Sequence, residues 1–242
     1  MRPFTSIMEV QGLMVLKNKN SILKKTFVPL LLLVALSCTE HKKPDTEPTP
    51  VITPLPPIVD SLLITDSSWG LIQQDMNYSD LKVIYGESKL KDERICGPEC
   101  VDSVDVTKLF PGTSNEAIIY WKDKAWHKTI SMIVCYQEGA QYHTDKGLKI
   151  KSGIIELLQL NGKKISFMGF GWDYGGTITS YNWGALEKSV LRYELDLAIA
   201  PAENEMSVFG DTYFDTDMPL VKKLLPDIYI RKITLVLNHH EY

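Results

Sequence analysis

Residues 117–136, with the sequence AIIYWKDKAWHKTISMIVCY, predict a β-hairpin and decide the fold class of the chain. The first arm is an apolar run from 117 to 121. In the second arm Met132, Val134 and Tyr136 alternate with polar or small residues, as in a strand that has one apolar face and one wet face. The charged residues 122–124 between the arms predict the turn.

Further strand patterns follow towards the C-terminus. Residues 191–197 alternate in the same way, and residues 178–183, followed by a turn at Gly184, are their predicted hairpin partner. A short helix over 219–225 and a strand over 228–237 are predicted at the end of the chain. Runs of strands after single helices favour an antiparallel α+β fold over an alternating parallel one.

Two segments, residues 69–86 and 147–162, repeat one order of features. Each predicts a short helix, with Asn77 or Ser152 capping its first turn. Each also ends in a glycine, the residue that suits the left-handed position after a helix. We therefore expect two related helix-plus-antiparallel-sheet units in tandem, in which short helices pack on a strand-rich sheet.

The N-terminal segment has the order of a signal peptide, with basic residues, then the apolar run 27–36, then Ser37 before Cys38. That run would rise about 15 Å as a helix, roughly half the hydrocarbon thickness of a bilayer. Ala35-Leu36-Ser37-Cys38 resembles a lipobox. Cys38 is therefore predicted to carry the lipid and to become the mature N-terminus.

The sequence divides into three parts. Residues 1–37 are the predicted signal peptide, and residues 38–59 are a lipidated cysteine with a Pro/Thr-rich tether. Residues 60–242 form the predicted globular α+β domain, with repeat units at about 65–140 and 141–240. The chain is therefore expected in the cell envelope as a lipid-anchored protein of the outer membrane that faces the periplasm.

Charge limits the partners of the mature chain. Cleavage before Cys38 removes five basic residues and one acidic residue, which leaves 21 basic and 29 acidic residues and a formal charge of −8. Phosphate backbones repel a protein of that sign, so nucleic acid is not an expected partner. The expected partners are the membrane, through the lipid anchor, and an envelope protein or glycan ligand.

Three cysteines remain after lipidation. A disulfide between Cys96 and Cys100 is the favoured prediction, with Cys135 left as a thiol. The CGPEC sequence between the first two is close to a redox dithiol motif but has one residue too many. No histidine or cysteine pairs have the spacing of a metal site, so neither a metal nor a cofactor is predicted.

The string GFGWDYGGT at 169–177, together with 146–150 and 160–163, resembles uncharacterised envelope lipoproteins of Bacteroidetes type. The resemblance extends over most of residues 65–237. It implies a location and an architecture, and no activity. Repeated helix-plus-sheet units of this size are also loosely similar to the β-lactamase inhibitor protein and to small outer-membrane-assembly lipoproteins, both of which bind proteins.

The same string is the candidate binding loop, with Phe170, Trp172, Asp173 and Tyr174, to which the aromatic Trp183 is added. Glycines give such a loop backbone freedom, and aromatic rings give it flat contact area. The alternative is a bulged hairpin turn whose aromatic residues fold back onto the core.

Three functions remain open. The first is a noncatalytic module that binds a protein or a cell-wall or carbohydrate ligand through aromatic surface. The second is a hydrolase, in which two carboxylates, or one carboxylate and His127 or His143, converge in a cleft. The third is a purely structural or assembly lipoprotein, with its aromatic residues buried and no cleft. No nucleophile motif is present, so no catalytic residue is predicted. The acids considered for the hydrolase are Asp173, Glu187, Glu194, Asp211 and Asp215.

Overall fold

The computed structural model describes residues 59–97, 100–123, 127–200 and 202–238. The predicted signal peptide, the lipidation site Cys38 and nearly all of the tether lie outside these residues. No helix among the described residues combines the length and the apolar character that a membrane crossing requires.

The described chain contains short helices and many short strands. The α-helices are α1 (Tyr78–Tyr85), α2 (Ile154–Asn161) and α3 (Pro219–Leu224). Single turns of 3-10 helix cover Glu87–Lys89 and Leu225–Asp227, and a longer one covers Glu203–Val208. The strands are β1 (Leu63–Ile64), β2 (Ser68–Trp69), β3 (Ile72–Gln73), β4 (Leu90–Cys96), β5 (Ser103–Leu109), β6 (Ala117–Trp121), β7 (Ile130–Cys135), β8 (His143–Thr144), β9 (Ser166–Met168), β10 (Ile178–Ser180), β11 (Leu191–Leu197), β12 (Tyr213–Asp215) and β13 (Ile228–Val236).

These strands form three sheets. The largest has six strands in the order β11-β13-β7-β6-β5-β4, and every neighbouring pair in it is antiparallel. A three-stranded antiparallel sheet has the order β10-β9-β12, and a four-stranded sheet has the order β3-β2-β1-β8 with one parallel pair, β1 and β8. The antiparallel sheets and short helices confirm the α+β prediction.

One face of the six-stranded sheet lies in the core. Its strands contribute residues such as Ile119, Ile133 and Leu235, all fully or almost fully buried. The helices and the two small sheets supply the rest of one continuous apolar cluster, with Leu81, Leu157, Val221, Phe167 and Trp69 among its members. The side chains on the opposite face of the large sheet therefore point outward. The candidate site described below lies on that face.

Helices α1 and α2 have equal lengths of eight residues, and each is followed by a glycine with positive φ, Gly86 at 80° and Gly162 at 69°. Asn77 caps α1 as predicted, because its side-chain oxygen accepts hydrogen bonds from the amides of the first turn. The cap predicted at Ser152 is wrong by one position, since the N-cap of α2 is Gly153. Both helices stand where the repeat predicts them.

Hairpin predictions had two outcomes. The pairing of β6 with β7 confirms the hairpin predicted for residues 117–136, of which residues 124–126 lie outside the described residues. The hairpin predicted between 178–183 and 191–197 is wrong, because β10 pairs with β9 and β11 pairs with β13. Alternation identifies a strand and one buried face, but it carries no information about which partner lies alongside.

The sequence analysis missed β4 and β5. Strand β4 reads LKDERIC, and four charged residues in a row hide its alternation. It lies at the edge of the six-stranded sheet, where charged side chains protect the unpaired backbone from further strand addition. Arg94 of β4 is paired with Asp105 of β5 at 2.8 Å.

Replacement of Asn77 by alanine tests the cap of α1. The side-chain oxygen of Asn77 lies 2.8 Å from the Ser79 amide, and the Asp80 carboxylate accepts from the Asn77 amide at 2.9 Å. Loss of the capping oxygen should lower the free energy of unfolding by about 1 kcal/mol. Urea unfolding measures the change, and Val83→Ala, at an 86% exposed position of the same helix, should change it by less than about 0.5 kcal/mol.

Candidate functional site: a groove on the open sheet face

Two adjoining concavities lie on the outward face of the six-stranded sheet, with volumes of about 520 and 600 Å³. Both are lined by Glu194, Lys232 and Thr234. Because they share these residues of β11 and β13, we treat them as one feature and call it the sheet groove. Each of the two volumes is within the range of small-molecule sites in proteins.

Tyrosine rings line one half of the sheet groove. Tyr120 comes from β6, Tyr136 follows β7 directly, and Tyr229 comes from β13. Tyr136 is 48% exposed. Burial raises the pKa of the Tyr120 phenol, and the neighbouring Tyr136 phenol adds to the effect. The Tyr120 hydroxyl is therefore a hydrogen-bond donor throughout the neutral pH range.

An ion cluster lies where the two concavities meet. Glu194 is only 6% exposed, and its two carboxylate oxygens contact different cations: Oε1 contacts Arg231 and Oε2 contacts Lys232. A buried carboxylate requires such compensation, because the loss of hydration is otherwise costly. Both oxygens of Glu194 are thus committed to the structure of the groove.

A second ion pair borders the tyrosine-lined half. The ammonium group of Lys151 lies 2.5 Å from the Glu138 carboxylate and 3.8 Å from the centre of the Tyr229 ring. Hydrogen bonds to Glu138 and then to Tyr229 raise the pKa of Lys151. The cation–π contact fixes the position of the Tyr229 ring in the groove.

The predicted binding loop is split between the core and the groove. Phe170 is 2% exposed and packs against Phe167, with ring centres 5.5 Å apart. Phe170 is thus a core residue, and its inclusion among the candidate binding residues is wrong, because the glycines around it let the chain turn the ring inward. Asp173 and Tyr174 line the second concavity, where Tyr174 is 45% exposed.

Trp172 is intermediate in exposure between the buried Phe170 and the exposed Tyr174. Its indole nitrogen donates to the Gly169 carbonyl at 2.9 Å, and its ring meets that of Tyr174 edge-on at 5.2 Å. The side chain is half-buried. The Trp172 side chain therefore packs against its own loop and contacts the ring of Tyr174.

Gly176 attaches this loop to the six-stranded sheet. Its φ is +75°, and a Cβ atom placed on it would lie 1.9 Å from the Leu195 carbonyl oxygen. The Leu195 amide donates to the Gly176 carbonyl at 2.9 Å, and the Gly176 amide donates to Met168 at 3.0 Å. Backbone contact this close requires a glycine. The loop consequently forms one border of the sheet groove.

Trp183 is not part of the groove lining. It lies in a tight turn in which the Gly184 amide donates to the Tyr181 carbonyl at 3.0 Å, with Asn182 and Trp183 at φ of 51° and 59°. The buried Asn161 donates to the same Tyr181 carbonyl at 2.9 Å and holds the turn. The Trp183 ring is 91% exposed.

The cysteines have different surroundings. Cys96 and Cys100 are joined in a disulfide, and Gly97 and Cys100 line the second concavity. Cys135 is a free thiol in the core, and burial raises its pKa. Gly97 and Cys100 therefore border the same concavity as Asp173 and Tyr174 of the glycine-rich loop.

Neither of the candidate histidines lies in the groove. His143 is paired with Asp60 at 3.2 Å, and His127 lies 4.0 Å from Asp92 and stacks on Trp121. None of these five residues lines the groove. Among the residues that the structure describes, no group of three or more histidines, cysteines or acids is arranged to hold a metal ion.

The acids considered for a hydrolase are divided between the groove and other parts of the fold. Of the acids considered for a hydrolase, Asp173 and Glu194 line the groove. Asp215 lies elsewhere and is paired with Lys164 at 2.5 Å, which is the main cause of its lowered pKa. Glu187 accepts a hydrogen bond from the Trp183 amide at 3.1 Å.

The sequence analysis missed the groove tyrosines. It assigned Met132, Val134 and Tyr136 to an apolar face, whereas the structure places them on the outward face and puts Ile133 in the core. The cause is a register shift: Tyr120 is opposite Met132, but Trp121 is opposite Ile130, so one residue of β7 is unpaired. The alternation showed the strand, and the insertion reversed its faces.

Comparisons with known proteins do not assign the chain to a family. No family model matches it, and no curated protein matches it. Among solved structures it is similar to the uncharacterized protein yfeY from Escherichia coli, with 13% sequence identity and a TM-score of 0.40, over 72% of this chain and 98% of that chain. A likeness at that level carries no conclusion about function.

Replacement of Gly176 by alanine tests the contact that borders the groove. The new methyl group would meet the Leu195 carbonyl, and the positive φ would add strain. We expect a loss of about 3 kcal/mol or more in the free energy of unfolding. Gly162→Ala is the matched control, because Gly162 has φ +69° in the left-handed region and nothing within 4 Å of the added atom. It should lose only about 1 kcal/mol; equal losses measured by urea unfolding would contradict the role given to Gly176.

Proposed function

We propose that this chain is a cell-envelope lipoprotein whose folded part is a noncatalytic binding module, and that the sheet groove holds its protein or glycan ligand. The observation that carries the proposal is the row of tyrosines on an open sheet face, bordered by two loops. Tyrosine gives a large contact area and a polar end at a small cost in side-chain entropy.

The ion pairs of the groove favour binding over hydrolysis. A hydrolase of the predicted kind needs two carboxylates, or a carboxylate and a histidine, that are free to exchange protons with the substrate. Glu194 has both oxygens in contact with cations, and Glu138 is paired with Lys151. Among the described residues, Asp173 is then the one acid considered for a hydrolase that lines the groove outside these ion pairs, and a hydrolase needs a second group beside it.

Exposure argues against a purely structural role. That role requires every candidate aromatic residue to be buried and no cleft to exist. Tyr174 is 45% exposed and Trp183 is 91% exposed. The open groove adds three more tyrosines, so this face has the anatomy of a recognition surface.

We further propose that α1 and α2 mark two related units in tandem. Their equal length, their places in the repeat and the positive-φ glycine after each support a common origin. Strands from both parts of the chain enter one sheet, since β13 pairs directly with β7. The groove would then have formed at the junction between the two units.

The proposed location follows from the N-terminal sequence and from the resemblance to Bacteroidetes-type lipoproteins. Cys38 would carry the acyl groups and hold the domain at the outer membrane on its periplasmic side. The charge of −8 on the mature chain supports a partner other than nucleic acid.

Replacement of Cys38 by serine tests the anchor. We expect the wild-type chain to sediment with the envelope membranes and to show a diacylated N-terminal cysteine by mass spectrometry. The variant should keep residues 1–37 and lack the lipid, because serine offers no thiol. A wild-type chain that is soluble and uncleaved would contradict this part of the proposal.

Filling the groove tests the binding site even while the ligand is unidentified. Thr234→Trp places a large side chain where the two concavities meet, so it should abolish recovery of the bound protein or glycan from solubilised envelopes by the full-length chain. Thr179→Trp is the matched control, since Thr179 is exposed on β10 and outside the groove. Urea unfolding checks that both variants fold. Equal recovery by the two variants would contradict the groove as the binding site.

A further inference from the structure

We propose that the ligand of the sheet groove is a neutral oligosaccharide. This inference rests on the proposed function of the groove and adds the chemical class of the ligand. It follows from the charge balance of the groove, from the kind of polar groups in it, and from the place of its floor within the sheet.

The charges along the groove cancel. Its lining contains four basic and four acidic side chains: Lys151, Arg192, Arg231, Lys232, Glu138, Asp173, Glu194 and Asp196. The mature chain carries −8 overall, so the groove is a neutral region on an acidic protein. Complementary charge is the usual device for selecting a charged ligand. Its absence from this lining favours a ligand without net charge.

The polar groups of the groove present donors and acceptors side by side. The Glu138 carboxylate is next to the Lys151 ammonium group, and these side chains are 76% and 44% exposed. A hydroxyl group donates one hydrogen bond and accepts two. A ligand rich in hydroxyl groups can therefore contact both members of such a pair at once, whereas an ionic ligand would have to displace one member.

The tyrosine rings provide flat apolar area among these polar groups. Tyr136 is half-exposed, and Tyr229 is fixed by the cation–π contact with Lys151. The face of an aromatic ring carries partial negative charge, and it attracts the polarised C–H groups on one side of a sugar ring. Flat stacking together with hydrogen bonding at the edges is what a sugar ring requires.

The floor of the groove is unsuited to an extended peptide. It comes from β7 and β13, which are interior strands whose backbone groups pair with strands on both sides. Of the four strands that line the groove, β11 is at the edge of the sheet, and its Leu195 amide already donates to the Gly176 carbonyl, so the floor offers a peptide no open strand edge to extend. The aliphatic residues Val134 and Ile150 are 6% and 5% exposed, so neither of them offers open apolar surface to an anchor side chain.

The groove is long enough for several sugar units. It extends across β6, β7, β13 and β11, that is, across three inter-strand spacings, or about 14 Å. An oligosaccharide could thus contact the tyrosine-lined half and the half bordered by Tyr174 together.

Titration calorimetry on the full-length chain in detergent tests the class. The probes are cellohexaose, maltohexaose and N,N′-hexaacetylchitohexaose as neutral ligands, with oligogalacturonate and the chitosan hexamer as charged ones. We expect at least one neutral probe to bind and to lose about tenfold in affinity with Tyr136→Ala or Tyr229→Ala. Tyr213→Ala, at a 66% exposed tyrosine on β12 outside the groove, should leave the affinity unchanged.

The outcomes separate this inference from the proposed function. Tighter binding of a charged probe than of every neutral one would overturn the inference. The inference would also be overturned if no sugar binds but a protein partner is recovered, and Thr234→Trp abolishes that recovery. In that case the groove would remain a binding site. If no sugar binds, and Thr234→Trp leaves the recovery of every protein and glycan unchanged, both the inference and the proposed function are wrong.

Discussion

Two register shifts in the six-stranded sheet decide which side chains reach the core and which line the groove. One lies between β6 and β7 at Tyr120 and Trp121, and the other lies between β11 and β13 at Glu194 and Leu195. Side chains alternate along a strand, so one unpaired residue reverses every face beyond it. The first shift lets Ile130 and Ile133 both enter the core although they are three positions apart. Without the shifts, the tyrosines and the ion cluster would not share one face.

The edge position of β11 explains why a glycine-rich loop lies where it does. The outer backbone groups of β11 have no strand beside them in the large sheet, and Gly176 accepts a hydrogen bond from the Leu195 amide there. The loop then covers Glu194, whose charge is compensated by Arg231 and Lys232. The close backbone approach at Gly176 and the burial of the Glu194 carboxylate therefore occur together. The ion pairs with Arg231 and Lys232 offset the loss of hydration that this burial causes.

The fold class could be predicted from the sequence because it depends on local patterns. The period of two in residues 117–136 and the helix repeat with its glycines both report on neighbouring residues. The groove could not be predicted, since β11 and β13 are far in the chain from the β6–β7 hairpin and are joined to it by a pairing that alternation does not encode. A single unpaired residue in β7 also made outward-facing residues look like core. The prediction for Phe170 failed for a related reason, because the glycines beside it allow its ring to face either the core or the solvent.

The groove and the exposed Trp183 represent two ways of presenting aromatic rings. Trp183 stands on a turn of left-handed residues held by the buried Asn161, whereas the groove tyrosines stand on or directly beside paired strands. Strands fix a ring through many backbone hydrogen bonds, so little freedom remains to be lost when a ligand arrives. A weak ligand contact, such as one sugar ring on one tyrosine, can contribute net affinity only on such a rigid surface. The sheet face, rather than either loop, is therefore where recognition of a flexible, uncharged chain is physically most favourable.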